Sequence, residues 1–256
     1  MTTCGCIFLA AVFFCTAVIS VVTGSTSLIT VPVMLQFGFE PRIAVATNMF
    51  ALIFLSLGGT LPFLKAGFLL RRRLPALIGL TLVGSILGAL LLLIMPSKAM
   101  PLVISGAMII VAVFLIAQRN RGLSAPSELP SRHMVAVGYV VTFLLGIYGG
   151  FFSGGYVALL TAAFVGFFGM TFLEAVAVTK VLNIFSSLVA TAIFAREGII
   201  NWEIGLVLGV ASFFGGVVGA VLAQRMSNLW LRRVFLTVVV ALAFKTLVFD
   251  VAWVSH

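Results

Sequence analysis

The chain has 256 residues, of which 62% are hydrophobic and only 8% are charged, whereas soluble proteins carry roughly 25% charged residues. This composition excludes a water-soluble fold and a soluble catalytic domain, because most of the chain consists of apolar runs that suit lipid. The net charge of +9 comes from basic residues at the ends of apolar runs, where they orient a protein in a membrane. We therefore expect membrane lipid, and not nucleic acid, as the surrounding partner.

The apolar runs predict helices, because an isolated segment in lipid satisfies its backbone hydrogen bonds only as a helix. In chain order they cover 6–23, 27–39, 43–64, 74–95, 99–118, 134–152, 156–170, 172–195, 203–223 and 233–252. Segments 27–39 and 156–170 are too short to span a bilayer. The expected fold is an all-α polytopic membrane protein with about eight transmembrane helices plus two short re-entrant or broken helices. Each of the two short segments could form either part of a re-entrant hairpin or a short crossing of the membrane.

The sequence repeats itself at a constant offset of 131 positions. Matched pairs include Leu28 and Leu159, Thr30 and Thr161, Gly38 and Gly169, Thr60 and Thr191, Gly84 and Gly215, and Gly88 and Gly219. A fixed offset over this length indicates an internal duplication. We predict a first transmembrane repeat over 1–118, a cytoplasmic linker over 119–133 and a second transmembrane repeat over 134–256.

The two halves place their basic loops differently. The first half has its basic residues at 65–73, whereas the second half has them one loop later, at 225–233. Because Lys and Arg mark cytoplasmic loops, 65–73, 119–133 and 225–233 are predicted to lie in the cytoplasm. The two repeats are therefore predicted to have inverted topology, a plan that recurs in secondary transporters.

The breaks before the short helices are candidate anion sites. A helix that begins inside the membrane exposes free N–H groups and a partial positive charge at its N-terminus. The alternative is that the break residues only permit a turn. The candidate substrate-binding residues at the breaks are Ser25, Thr26, Ser27, Gly154, Gly155 and Tyr156.

Lys180 lies eight residues into a predicted helix, where a charged side chain is costly unless it meets a partner, water or an anionic substrate. Its counterpart in the first repeat is Met49, so the charge is not required by the fold. Asn183 shares its helix face and joins the candidate site. The alternative is an ion pair between Lys180 and Glu174, which their six-residue spacing makes awkward.

Four further residues complete the set of candidates. Thr179 adjoins Lys180, and its repeat counterpart is Asn48, so both are predicted to contact substrate. Glu40 and Glu174 flank the ends of the short helices and are candidates for carrying a coupling proton. The alternative for both acids is an interfacial position solvated by lipid headgroups.

Other patterns argue against an enzyme. His133 and His256 are the only histidines, and the chain has no paired carboxylates in a span, P-loop or HExxH motif. We therefore expect no catalytic residue, metal or cofactor. Glycines spaced four apart allow close helix packing, either within one chain or across a homodimer. These pairs are Gly84 with Gly88, Gly205 with Gly209, and Gly215 with Gly219.

The duplicated halves, the stretch Tyr148–Gly155 and the run Ala177–Asn183 resemble the TauE/SafE family of sulfite exporters and toluene-sulfonate-uptake-like permeases. The resemblance covers nearly the whole chain. It implies transport of sulfite, organosulfonates or other small sulfur-containing anions, and a role for Lys180 and Asn183 by position. The chain departs from the family pattern where Ser25–Ser27 replace expected glycines before Pro32.

The resulting hypothesis is secondary transport of a small anion, such as a sulfur oxyanion or organosulfonate, by alternating access between the repeats. The protein is expected in the cell membrane, namely a bacterial inner membrane, as a multi-pass protein. Two alternatives remain open: a passive anion channel, and a non-transporting membrane protein such as an assembly factor or a lipid-modifying enzyme.

Overall fold

The computed structural model describes residues 3–24, 26–66, 73–96 and 130–227, together with 230 and 233. In this part of the chain all regular structure is helical. The predicted helix 99–118, and all but the first residue of 233–252, lie outside the described residues. The helices are α1 (Thr3–Thr23), α2 (Ser27–Gln36), α3 (Pro41–Ala66), α4 (Leu74–Ile94), α5 (Arg132–Phe151), α6 (Tyr156–Phe168), α7 (Phe172–Arg196) and α8 (Trp202–Arg225).

Six helices, namely α1, α3, α4, α5, α7 and α8, are long and apolar enough to cross a membrane. Helices α2 and α6 have 10 and 13 residues, which gives lengths of about 15 and 20 Å. The prediction of an all-α polytopic membrane protein with two short helices is confirmed. Both short helices end earlier than the sequence predicted, because the chain turns through left-handed backbone at Gly38 and Gly169.

The internal repeat is visible in the backbone. Glycines with positive φ stand 131 positions apart at the two breaks, Gly24 (65°) and Gly155 (76°). A second pair at the same offset, Gly38 (83°) and Gly169 (65°), ends the two short helices. Because residues with side chains rarely adopt this conformation, the matched glycines give both repeats the same turns.

The repeat also extends to side-chain contacts. In the first half, Thr30 Oγ1 donates to Asn48 Oδ1 at 2.7 Å. At the equivalent positions of the second half, the hydroxyls of Thr161 and Thr179 lie 3.4 Å apart. Each short helix is therefore tied to the long helix that follows it by the same pair of positions.

Equivalent helices of the two repeats run in opposite directions. Asn183 Nδ2 on α7 reaches Ser56 Oγ on α3 at 2.7 Å, and Lys180, three residues earlier, packs against Gly59, three residues later. The chain just beyond α7 then returns to the start of α3, where the Asn201 N–H donates to Thr47 Oγ1 at 3.1 Å. Helices α3 and α7 are therefore antiparallel, which is the relation that inverted repeats require.

The first helix of each repeat packs against the fourth helix of the other. Gly88 of α4 leaves room for the Ile147 carbonyl of α5, since an added Cβ would lie 1.9 Å from that oxygen. Its repeat counterpart, Gly219 of α8, packs in the same way on the Val18 carbonyl of α1, at 2.4 Å. These glycines pack within one chain and interlock the two repeats, as the close approach of small-residue helices allows.

The outer faces of the long helices are apolar. On α4, large hydrophobic side chains such as Val83, Leu87 and Leu90 are exposed, as expected for a lipid-facing surface. Polar residues instead lie inside, including Ser56, Thr179 and Lys180. The fold thus concentrates polar groups where the two repeats meet.

Candidate functional site

The tips of two helical hairpins meet at the interface between the repeats. One hairpin is α1–α2 and the other is α5–α6. The backbone at Gly24 lies on the first turn of α6, so an added Cβ would be 2.5 Å from the Ala158 nitrogen. In return, Gly154 lies against the Leu28 side chain at the start of α2. The N-termini of both short helices therefore face the same region.

These two N-termini make the region electropositive. A helix N-terminus presents N–H groups without an intrahelical partner and part of a helix dipole, although the first N–H of α6, that of Tyr156, donates to the Ser153 carbonyl at 3.2 Å. The cap residues, Thr26 for α2 and Gly155 for α6, make no side-chain capping hydrogen bond. The positive helix ends are therefore not neutralised by their own caps.

Lys180 is buried beside these tips, with only 1% of its surface exposed. Its Nζ donates to the Ser20 carbonyl at 3.0 Å, and its stem packs against Gly59. The same carbonyl also accepts from the Gly24 N–H at 2.8 Å, so Lys180 contacts the C-terminal, negative end of the α1 dipole. An ammonium group has three donors, and a single acceptor contacts this one among the described residues.

The ion pair considered between Lys180 and Glu174 does not form. The Glu174 carboxylate accepts instead from the Thr171 N–H at 2.8 Å and from the Thr171 hydroxyl at 2.9 Å. This is a capping box at the start of α7. Among the described residues, the Lys180 side chain thus contacts the end of a helix and no carboxylate.

Two polar side chains next to Lys180 on α7 contact other helices. Asn183 Nδ2 donates to Ser56 Oγ, while Asn183 Oδ1 has no partner among the described residues. Thr179 donates to the Val176 carbonyl at 3.0 Å and faces Thr161. We refer to Ser20, Ser56, Thr161, Thr179, Lys180 and Asn183 as the central polar cluster.

The first-repeat candidates form a separate group. Asn48 Nδ2 donates to Ser27 Oγ at 2.8 Å, and its Oδ1 accepts from Thr30. Asn48 precedes Ser56 by eight residues on α3, which separates the two by about 12 Å along the helix axis. The predicted site residues therefore fall into two groups, because α3 and α7 cross in opposite directions.

The residues of the second break are packed tightly. The Tyr148 hydroxyl donates to the Gly154 carbonyl, and the Tyr156 ring covers Gly149. Tyr156 is fully buried in the core between α6 and α7. The Thr26 carbonyl, at the first break, lies 3.1 Å from the Thr30 hydroxyl, whose single proton it shares with Asn48 Oδ1, and Ser25 lies outside the described residues. Of the two acidic candidates, Glu40 is exposed and Glu174 forms the capping box.

The sequence did not single out Ser20, Ser56 or Thr161 as site residues. Ser20 acts through its backbone carbonyl, which no residue pattern identifies. Thr161 had a detectable signal, since it is the repeat counterpart of Thr30. Ser56 becomes recognisable only when the crossing of α3 and α7 brings it to Asn183.

The repeat positions equivalent to the Lys180 contact are apolar. Met49 corresponds to Lys180, and Phe151 corresponds to Ser20. Both are buried in one hydrophobic cluster. The polar contact between Lys180 and Ser20 therefore has no equivalent at Met49 and Phe151, so the repeated fold does not require it.

Comparison of the sequence with known proteins identifies its family. The family model described as "Sulfite exporter TauE/SafE" matches residues 9–246. A "Probable membrane transporter protein ORF9" of Sinorhizobium sp is 29% identical, over 94% of this chain and 91% of its own length. A "Probable membrane transporter protein" of Haemophilus influenzae is 27% identical, over 96% of both chains.

A third relative, "Probable membrane transporter protein YfcA" of Escherichia coli K12, is 25% identical over 88% of this chain and 83% of its own length. No solved structure gives a significant match. The family match spans both repeats and includes the central polar cluster. The chain is therefore a multi-pass membrane transporter that belongs to the TauE/SafE sulfite exporter family.

Proposed function

We propose that this transporter carries a small anion with a sulfur oxyanion group, such as sulfite or an organosulfonate. The observation that supports this proposal is the buried Lys180, which contacts a helix end but no carboxylate in the part of the chain that the structure describes. A lysine in the middle of a span costs roughly 3 kcal/mol on insertion scales. A bound anion would offset that cost by accepting the ammonium protons for which the described residues offer no acceptor.

The surroundings of Lys180 favour an anion over a cation. The two short helices direct their positive ends toward the same region, and the cluster offers hydroxyl and amide groups. A sulfonate or sulfite group has several oxygens and needs such donors together with one positive charge. The family description, sulfite exporter, agrees with this chemistry.

We further propose alternating access between the two repeats in the cell membrane. The central polar cluster is buried, so substrate reaches it only if the helices move. Antiparallel α3 and α7 supply contacts from opposite repeats to one place. Rocking one repeat against the other would expose this place to each side in turn, as in other transporters with inverted repeats.

The test is counterflow of labelled sulfite in liposomes that contain the purified protein. Unlabelled sulfite, sulfoacetate, sulfate or chloride is loaded inside, one at a time. Labelled sulfite should accumulate transiently when sulfite or a sulfonate is inside. Flux without counterflow would indicate a passive channel, and no flux with any of these anions would contradict the proposed substrate.

The Lys180→Met variant tests the site, because methionine is the residue that the first repeat carries at this position. The Ser20 carbonyl keeps its bond from Gly24, so the fold should persist. We expect at least a tenfold loss of counterflow, which corresponds to about 1.4 kcal/mol of binding free energy.

The matched control for Lys180→Met is Thr142→Val. Thr142 is equally buried, but it lies on α5, and its hydroxyl donates to the Gly138 carbonyl one turn earlier. Its replacement should leave counterflow unchanged. Wild-type counterflow in Lys180→Met would remove Lys180 from the site.

A further inference from the structure

Several buried polar atoms have no hydrogen-bond partner among the described residues. Four of them are side-chain oxygens of α3 and α7: Thr60 Oγ1, Asn183 Oδ1, Ser187 Oγ and Thr191 Oγ1. All four residues are less than 8% exposed. Leaving such a group unpaired is unfavourable, and unpaired groups in a native fold commonly mark water or ligand positions.

The unpaired groups lie on one stripe of each helix. On α7, Lys180, Asn183, Ser187 and Thr191 fall within an arc of about 80° at 100° per residue. The repeat counterparts on α3 are Met49, Leu52, Ser56 and Thr60, which share the same arc. We call these two stripes together the α3–α7 seam.

The two stripes face each other across the crossing of the helices. Asn183 bonds Ser56, and Lys180 packs beside Gly59, next to Thr60. Because the helices are antiparallel, Ser187 and Thr191 lie toward the start of α3, where Met49 and Leu52 are found. One end of the seam, at Lys180 and Asn183, therefore has an amino group and several hydrogen-bond donors. The other end, at Ser187 and Thr191, has hydroxyls beside apolar side chains.

The seam also connects the two groups of predicted site residues. From Lys180 to Thr191 it extends about 16 Å along α7. One end belongs to the central polar cluster. The other end approaches the first turns of α3, which contain Thr47 and Asn48 and to which the chain returns after α7.

We propose that the α3–α7 seam is the route along which the anion and its hydration water pass, with the binding position at the end formed by Lys180, Asn183, Ser56 and Thr60. This inference rests on the proposed function, that the protein carries a small anion. Hydroxyls suit the task because each donates to an anion or to water. Buried polar side chains in membrane spans mark such routes.

The asymmetry of the seam indicates a single binding position. The counterparts of Lys180 and Asn183 are Met49 and Leu52, which offer neither charge nor donor. The hydroxyls Ser187 and Thr191 would keep the anion hydrated at that end without holding it. Weak contacts of this kind permit release, whereas a second charged position would retain the anion.

The first experiment measures chemical access to the seam. Cys4, Cys6 and Cys15, which are free thiols, are replaced by alanine, and Thr60→Cys or Thr191→Cys is added. The probe is sulfonatoethyl methanethiosulfonate, a thiol reagent that carries a sulfonate. Both seam positions should react at least tenfold faster than the equally buried control Thr142→Cys on α5, and sulfoacetate should slow the reaction at Thr60→Cys.

The second experiment keeps the cysteines and removes single hydroxyls. Thr60→Val should weaken sulfite counterflow about fivefold through KM, the size expected for loss of one hydrogen bond. Thr191→Val should slow the maximal rate while leaving KM within twofold, and Thr142→Val should change neither quantity. Equal, small effects of all three variants would overturn the seam as the route.

The outcomes separate this inference from the proposed function. Reaction at both seam positions supports the route, even if no tested sulfur anion shows counterflow. Wild-type counterflow together with unreactive seam positions overturns the route and leaves the proposed function standing. Absence of both counterflow and reaction overturns both.

Discussion

Lys180 and Met49 occupy equivalent positions in the two repeats, yet only Lys180 needs a polar partner. The fold supplies the Ser20 carbonyl at the end of α1, while Met49 lies in an apolar cluster. The two repeats thus have a polar contact at Lys180 and an apolar one at the equivalent Met49. On the proposed function, the side chains at these positions, and not the backbone geometry, decide which of the two places would hold an anion.

Glu174 is the residue at which a structural role and a coupling role can be separated. Glutamine also forms a capping box, so Glu174→Gln should retain both thermal stability in detergent and sulfite counterflow. Glu174→Ala removes two bonds to Thr171 and should lower the free energy of unfolding by about 1 kcal/mol. A stable Glu174→Gln variant without counterflow would instead identify Glu174 as a proton carrier.

At the scale of elements, the hairpin tips decide how closely the repeats approach. Gly24 ends α1 with positive φ and lets its backbone touch the first turn of α6. Gly38, which follows α2, also has a positive φ, but open space surrounds it. Both positions therefore favour glycine because of their positive φ, but only Gly24 also needs the absence of a side chain for a close contact.

We expect Gly24→Ala to abolish counterflow, because its Cβ would lie 2.5 Å from the Ala158 nitrogen and would push the tips apart. Gly38→Ala should cost only the left-handed conformation, about 1 kcal/mol of stability, and should retain counterflow. Thermal unfolding in detergent and counterflow in liposomes measure the two effects. Similar behaviour of both variants would show that the tip contact does not matter for transport.

At the scale of the whole molecule, the antiparallel relation of α3 and α7 places their C-terminal ends on opposite sides of the bilayer. Basic loops at 65–73 and 225–233 favour the cytoplasm for the end of α3. The end of α7 would then lie outside, although it is the repeat counterpart. This arrangement would leave the linker 119–133 in the cytoplasm.

The topology is tested with Lys65→Cys and Arg196→Cys, a pair of repeat counterparts, each in a chain without Cys4, Cys6 and Cys15. A membrane-impermeant maleimide should label Arg196→Cys in intact cells. Lys65→Cys should be labelled only after the cells are permeabilised. Labelling of both positions from one side would contradict inverted repeats.

The sequence alone determined the all-α membrane class, the two short helices and the internal repeat. The lengths of the apolar segments indicate the membrane helices, and the constant residue offset indicates the repeat. Neither depends on contacts between distant parts of the chain. The glycines that end the short helices were visible as matched positions, although the sequence predicted these ends two or three residues too late.

Only the tertiary structure decided which groups meet. The partner of Lys180 is a backbone carbonyl 160 residues away, and the partner of Asn183 comes from the opposite repeat. The residues predicted to form a single site fall into two polar groups, because the antiparallel crossing of α3 and α7 separates Asn48 from Lys180. Such relations depend on how helices from distant parts of the chain cross, which residue spacing within one helix does not specify.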